Sequence, residues 1–388
     1  MKRLWRLIAV LGVVALVAAA CAGDEEDGEA TGTPTATEAT ATETGAESPT
    51  ALPGADMHVC YVSDTGGVDD RSFNQTIHEG LLRAEEELGV EYDFVESTSA
   101  ADYAPNLQAF LQDDCDLIVP AGFNLGTDTF AAAEQNPDQL YAIVDYDHFD
   151  FSTDPPTDVT LDNVAELTFQ TDEAAFLAGY VSAGMTQTGT VATYGGVFFP
   201  TVTIFMNGFS AGVRAYNQDN GTDVQVLGWD PEAQDGTQIS SDPAVGFDNS
   251  AEGRRVTEDF ISEGADIILP VAGPTGLGTI AAAEDAGDVS VLWVDTDGCV
   301  SVPDSCPIFL TSVLKNMDIA VYDTVVSVIE DTFEGGLRVG TLENDGVGIA
   351  EFHEFDAEVP QELKDKVEEL RQGIIAGDVS VNPTDYPA

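Results

Sequence analysis

Val59-Cys-Tyr-Val62, then Asp64-Thr-Gly-Gly-Val-Asp-Asp-Arg-Ser-Phe-Asn-Gln75, is the stretch that decides the fold. The first part is a short apolar run that reads as a strand. The second is a loop rich in Gly and Asp. Beyond it, Ile77, Leu81, Leu82 and Leu88 recur at helical spacing, and Gly89 supplies a stop. A strand, a glycine-rich loop and a helix form the place where an open α/β sheet binds its ligand. The loop holds an aromatic (Phe73), an amide (Asn74) and paired carboxylates (Asp69, Asp70). That set suits a polar ligand with a flat ring better than a phosphate.

Outward from this loop the pattern repeats. Strands are expected at Val59–Val62, Tyr92–Glu96, Leu117–Pro120 and Tyr141–Asp145, with helices over 74–88, 103–113 and 126–135 between them. The last helix stops at Asn136-Pro137. This is a βαβ series and hence a parallel sheet with both faces covered. A second series follows. It has a long helix expected over Leu167–Thr186 and strands at Thr190–Tyr194, Val224–Trp229, Asp266–Pro270 and Val289–Val294. Its other helices are expected over Phe205–Asn217, Ser250–Glu263 and Gly276–Ala286. The tail adds a helix over Asp318–Phe333, strand-like Val347–Phe355 and an amphipathic helix over Pro360–Ile375. Joining segments between two lobes are expected near Leu161–Ala165, near Asp295–Cys299 and after the Asp318–Phe333 helix.

The 388 residues are enough for two cores. The 70 acidic against 13 basic residues give a formal charge of -57. Such a surface repels nucleic acid and anionic membrane faces, and it reads as a solvation adaptation. Lys2, Arg3 and Arg6 precede the apolar Leu7–Val17, which is short for a membrane span. Ala18-Ala-Ala-Cys21 follows, small residues directly before a cysteine. This is a secretory signal over 1–20, and its end is similar to a bacterial lipobox, which implies lipid on Cys21. Residues 21–56, acidic and rich in Thr and Ala, are expected to form a disordered tether. Such a chain is expected on the outer face of the cell membrane, held there only by its lipid. Four cysteines remain, and outside the cell an even number suggests two disulfides in one of three pairings. Cys299 and Cys306 bracket a short loop, which leaves Cys60 in the first strand with Cys115 before the third. No zinc motif is present, and no dedicated metal or cofactor site is expected.

Several motifs in order carry a resemblance: Gly67-Val-Asp-Asp-Arg-Ser-Phe-Asn-Gln75, Ala142-Ile-Val-Asp145, Leu167-Thr-Phe, Ala174-Ala-Phe-Leu-Ala-Gly179, Phe205-x-x-Gly-Phe-x-Ala-Gly-Val-x-Ala215, Ala272-Gly-Pro-Thr-Gly-Leu-Gly278 and Leu310-Thr-Ser-Val-Leu-Lys315. The chain resembles the basic membrane protein family, the purine nucleoside receptor-like substrate-binding lipoproteins of ABC importers. The resemblance implies an α/β type I periplasmic-binding-protein fold, with two doubly wound lobes joined by a hinge. Lobe 1 is expected over 57–163 and about 300–337, and lobe 2 over 164–299 and about 338–388. It also implies a nucleoside-like ligand and ABC permease subunits as partners, a monomer, and no enzymatic activity.

A nucleoside offers a flat base and a ribose diol without charge. Aromatic faces, carboxylates and an ammonium are the groups that hold it. Phe73 and, by the resemblance, Phe205 are the expected stacking pair. Asp70 and Asn74 are expected at the base or ribose, although both also suit a helix start. Asp145 ends a strand, where open sheets bind ligands. Gly273 and Gly276 would let backbone approach the ligand. Asp295 matches the family's ribose-binding carboxylate. Lys315 stands out because lysine is scarce in this chain. Asp69 stands where the family has Asn, which bears on base preference. Two other ligands or activities fit the same residues: a sugar or other small polar solute in the same fold, and, more remotely, hydrolysis of a nucleoside by the Asp cluster. Neither a triphosphate-binding loop nor a Gly-x-Ser-x-Gly elbow occurs.

Overall fold

The structure is a computed structural model that describes residues 52–150 and 157–387. The expected signal segment, Cys21 and residues 21–51 of the expected tether lie outside the described residues.

Two six-stranded sheets organise the chain. The first series contains β1 (His58–Val62), α1 (Phe73–Leu88), β2 (Glu91–Val95), α2 (Tyr103–Phe110), β3 (Leu117–Pro120), α3 (Gly126–Gln135) and β4 (Leu140–Val144). A small hairpin, β5 (Phe149–Asp150) with β6 (Thr157–Asp158), precedes β7 (Val164–Phe169). The second series runs through α4 (Thr171–Met185), β8 (Thr190–Gly195), α5 (Pro200–Asn220), β9 (Gln225–Leu227), α6 (Ser250–Ser262) and β10 (Ile267–Val271). It continues with α7 (Leu277–Ala286), β11 (Ser290–Asp295) and β12 (Phe309–Lys315). The chain ends with α8 (Met317–Ile329), β13 (Gly336–Gly340), β14 (Val347–Ile349) and α9 (Gln361–Ile375).

The strand orders are β13-β7-β4-β3-β1-β2 and β14-β12-β11-β10-β8-β9. Every pairing within them is parallel except β14 on β12. Read from its first strand, each sheet has the same order, so the two lobes share an architecture. In each, the order reverses between the first and third strands, which places a crevice at their carboxyl ends. Strands β1, β3, β4 and β10 carry almost nothing but buried apolar residues, because helices cover both faces. The long α4 and α5 pack through glycine. A Cβ on Gly179 would strike the Phe209 carbonyl, and one on Gly212 would strike that of Phe176.

The structure corrects three boundaries. The helix expected over Leu167–Thr186 divides at Gln170, and Val164–Phe169 is an interior strand of the first sheet. Leu161–Ala165 is therefore no joining segment, because Val164 and Ala165 already lie in β7. Phe309–Lys315 pairs with β11 in the second sheet, so residues near 300–316 do not belong to the first lobe and Asp295–Cys299 is no crossing. The crossings lie at Gln170, Asn316 and residues 341–346. They sit together: Gln170 N–H donates to Gly340 O at 2.8 Å, and Asn316 N–H to Gly346 O at 3.0 Å. Cys60 pairs with Cys115 and Cys299 with Cys306, at Cα separations of 6.0 and 4.5 Å. The first bridge spans β1 and the entry to β3, which are neighbours in the sheet.

Candidate functional site

The carboxyl ends of the two sheets face each other across a cleft. It encloses about 640 Å³ of empty space, part of it continuous with solvent. Loops after β1, β3 and β4 line one wall. Loops after β8, β10 and β11, with the start of α5, line the other.

The floor is an ion cluster that joins the lobes. Asp145 directly follows β4, and Asp295 ends β11, the equivalent strand of the other sheet. Both take left-handed backbone conformations, φ 63° and 69°, which Asp tolerates better than most residues. Lys315, the last residue of β12, reaches between them and is only 3% exposed. Its Nζ donates to Asp145 Oδ2 at 2.6 Å and lies 3.6 Å from Asp295 Oδ1. Burial acts to lower the Lys315 pKa, but the two carboxylates outweigh it and hold the ammonium above the ordinary lysine value. Asp295 Oδ2 also accepts from the Ser72 hydroxyl of the opposite lobe at 2.5 Å.

The opening loop is held mostly by its own polar groups. Asp70 accepts from the N–H groups of Ser72 and Gln75 at 3.0 Å and of Asn74 at 2.8 Å, which anchors the start of α1. Burial still pushes its carboxyl up to about 6. The Asn74 amide is similarly committed. Its oxygen accepts from Asp64 N–H and the Tyr61 hydroxyl, and its nitrogen donates to Thr65 O and Asp70. Asp70 and Asn74 both border the cleft, but the helix-start reading accounts for their hydrogen bonds. Arg71 has φ 63°, and its carbonyl accepts from Trp293 Nε1 of the other lobe at 3.0 Å.

Phe73 and Phe205 enter the cleft from opposite lobes, and their ring centroids lie 5.3 and 5.1 Å from Lys315 Nζ. Phe205 is also a core residue, 1% exposed. Gly273 lines the cleft with φ 52°. Gly276 does not. It lies against Trp293, and a Cβ there would sit 3.0 Å from that ring, so its role is packing beneath the loop.

Among the lining residues that the sequence does not mark as ligand contacts are Asp64, Phe123, Phe199 and Phe247. Phe123 and Phe199 stack across the lobes with centroids 5.0 Å apart, and Phe247 lies 6.1 Å beyond Phe199. Asp64 accepts from Tyr103 at 2.5 Å, Thr65 N–H at 2.7 Å and Asn124 at 3.1 Å, yet burial still raises its pKa. Asp64, Phe123 and Phe199 follow strand ends at the two crevices, so testing every strand end for ligand-type residues is the signal that finds them. Four carboxylates and one ammonium line the cleft, and that ammonium is already shared. A ligand carrying phosphate would meet no free cation there, whereas a neutral ligand with hydroxyls meets acceptors and a donor.

The family model described as ABC transporter substrate-binding protein PnrA-like matches residues 57–385. The chain is 33% identical over 344 residues to the CD4+ T-cell-stimulating antigen of Listeria monocytogenes, covering 84% of this chain and 88% of that one. It is 29% identical over 344 residues to the ABC transporter nucleoside-binding protein BmpA of Lactococcus lactis, covering 84% and 89%. Among solved structures it is similar to an ABC transporter solute-binding protein of Aeropyrum pernix, at 27% identity and a TM-score of 0.69 over 84% of this chain and 92% of that one.

Proposed function

Because the chain belongs to the PnrA-like family of ABC transporter substrate-binding proteins, we propose that its ligand is a nucleoside, with a purine base, which it delivers to ABC permease subunits. The observation that carries this reading is the Asp145–Lys315–Asp295 cluster between the Phe73 and Phe205 rings. The rings offer apolar faces to a base. The carboxylates accept from ribose hydroxyls and the ammonium donates to them. The acid excess of the cleft favours a nucleoside over a nucleotide. A relative named as nucleoside-binding, the Lactococcus protein, supports the same ligand class.

The lobes close on the ligand by rotating about the crossings at Gln170, Asn316 and residues 341–346. Ser72–Asp295, Arg71–Trp293 and Phe123–Phe199 are the contacts that form on closure. The protein acts as a monomeric carrier without chemistry on its ligand. On this reading an export signal over 1–20 and a lipid on Cys21 would hold it on the extracytoplasmic face of the cell membrane. Relatives from Pyrococcus species are named as lipoproteins, which fits this placement. A thermal-shift panel of nucleosides, nucleotides and free sugars tests the ligand class. Nucleosides should raise the melting temperature by mass action. A panel in which only sugars do so would replace the nucleoside with a sugar.

A further inference from the structure

Away from the cleft, in the first lobe, Asp147, Asp158 and Glu166 converge. One carboxylate oxygen from each lies within 4.8 Å of the others. Acid clusters are common on a surface this negative and signify nothing alone. Glu166 sets this one apart. It lies in β7, between β4 and β13, and is 0% exposed. Its Oε2 accepts from His148 N–H at 2.8 Å. Its Oε1 is buried without a hydrogen-bond partner, as is Asp147 Oδ1. Buried carboxylate oxygens with no donor are uncommon in native proteins, and an ordered water or an ion is the usual partner that completes them.

We propose that Asp147, Asp158 and Glu166 form a binding site for a hard divalent cation, calcium. Calcium binds carboxylate oxygens at about 2.3–2.6 Å, so any two oxygens on one ion lie no more than roughly 5 Å apart, a limit that the three oxygens here satisfy. Its coordination is flexible and admits waters and carbonyls beside three carboxylates. The rival occupant is the proton. Burial pushes Glu166 up to about 7 and also raises Asp147. A divalent cation offsets two of the three negative charges at once, where protons neutralise them one at a time. The other clusters of metal-binding type are weaker. Two of them use sulfurs already joined in disulfides, and in the third His58 is bonded to Asp93 at the surface.

The site has a consequence for the cleft. Asp158 belongs to the β5–β6 hairpin, and Asp147 lies two residues beyond Asp145. A bound ion ties that hairpin to β7 and braces the loop that aims Asp145 at Lys315.

The test is calorimetric titration of chelator-stripped full-length protein with calcium chloride, without nucleoside, in a high-salt buffer that screens diffuse surface binding. One calcium per chain is expected. Glu166→Gln and Asp158→Asn should each weaken it at least about 10-fold, no less than the loss of an outer-shell partner costs. Asp378→Asn, an exposed acid elsewhere, should not. Glu166→Gln keeps the side-chain shape, and Asp158 is exposed, so at least the second variant folds. No saturable site, a site indifferent to both substitutions, or binding of magnesium without calcium would each overturn the assignment.

Discussion

Replacing Lys315 with Met removes the one cation from the floor of the cleft and keeps most of the side-chain volume. With an effective permittivity of about 20, the 2.6 Å contact to Asp145 and the 3.6 Å contact to Asp295 correspond to about 6 and about 5 kcal/mol of gross attraction. Desolvating three buried charges offsets most of that. Removing one partner of such a cluster typically costs about 3–5 kcal/mol, because a charge is left buried and unpaired. Asp295 and Lys315 share a lobe, but Asp145 belongs to the other. On the proposed closure its bond forms as the lobes meet, so much of the loss should fall on ligand affinity rather than on folding. A loss of about 3 kcal/mol is on the order of 100-fold in Kd. Calorimetric titration of Lys315→Met with a purine nucleoside measures it. Burial raises the Asp145 carboxyl, and without its ammonium it should take up a proton on closure, so the variant should bind better at pH 5 than at pH 8. Adding Asp145→Asn should restore part of the affinity, because the stranded charge is then gone. A single-variant Kd within about threefold of the parent would refute the reasoning, since a contact worth about 3 kcal/mol cannot vanish so cheaply.

Phe73→Ala should weaken nucleoside binding by about 1 kcal/mol or more with little change in melting temperature. Phe205→Ala, fully buried, should also cost about 3–5 kcal/mol of fold stability; chemical denaturation and calorimetry separate the two effects. For Asp70 burial lifts the folded carboxyl to about 6, above the ordinary aspartate value of 3.8, so its contribution is present at low pH and is lost as pH rises through 6. The melting temperature of the parent relative to Asp70→Asn should therefore fall between pH 4 and pH 8, by an amount equivalent to at most about 3 kcal/mol. The bridges close loops of 55 and 7 residues. Replacing Cys60 and Cys115 with Ser should cost about 4 kcal/mol, against about 2 kcal/mol for Cys299 and Cys306, and denaturant midpoints should show that order.

The alternation of strand and helix is legible in the sequence because most elements are short and punctuated. Leu117–Pro120 and the 126–135 helix stand where the residues place them. Val164–Phe169 is not legible. It is buried on both faces and so lacks alternation, Glu166 interrupts it, and helix-forming residues follow directly. Phe309–Lys315 shows itself as a motif for a related reason: its strand character comes from neighbours on both sides of the sheet, which a local pattern does not contain. In the cleft, Asp145, Asp295 and Lys315 are visible by position and by scarcity. Phe123 comes from one lobe and Phe199 and Phe247 from separate loops of the other, and nothing local in the chain announces that meeting.

The most direct test of the cleft's chemistry compares one nucleoside with its own 5′-monophosphate. Both carry the same base and the same ribose diol, and they differ in the charge that four carboxylates and one shared ammonium have to face. Titrated side by side in the calorimeter, inosine or guanosine should bind saturably, and the monophosphate at least about 100-fold more weakly. Equal or tighter binding of the monophosphate, or no binding of any nucleoside, would contradict the account.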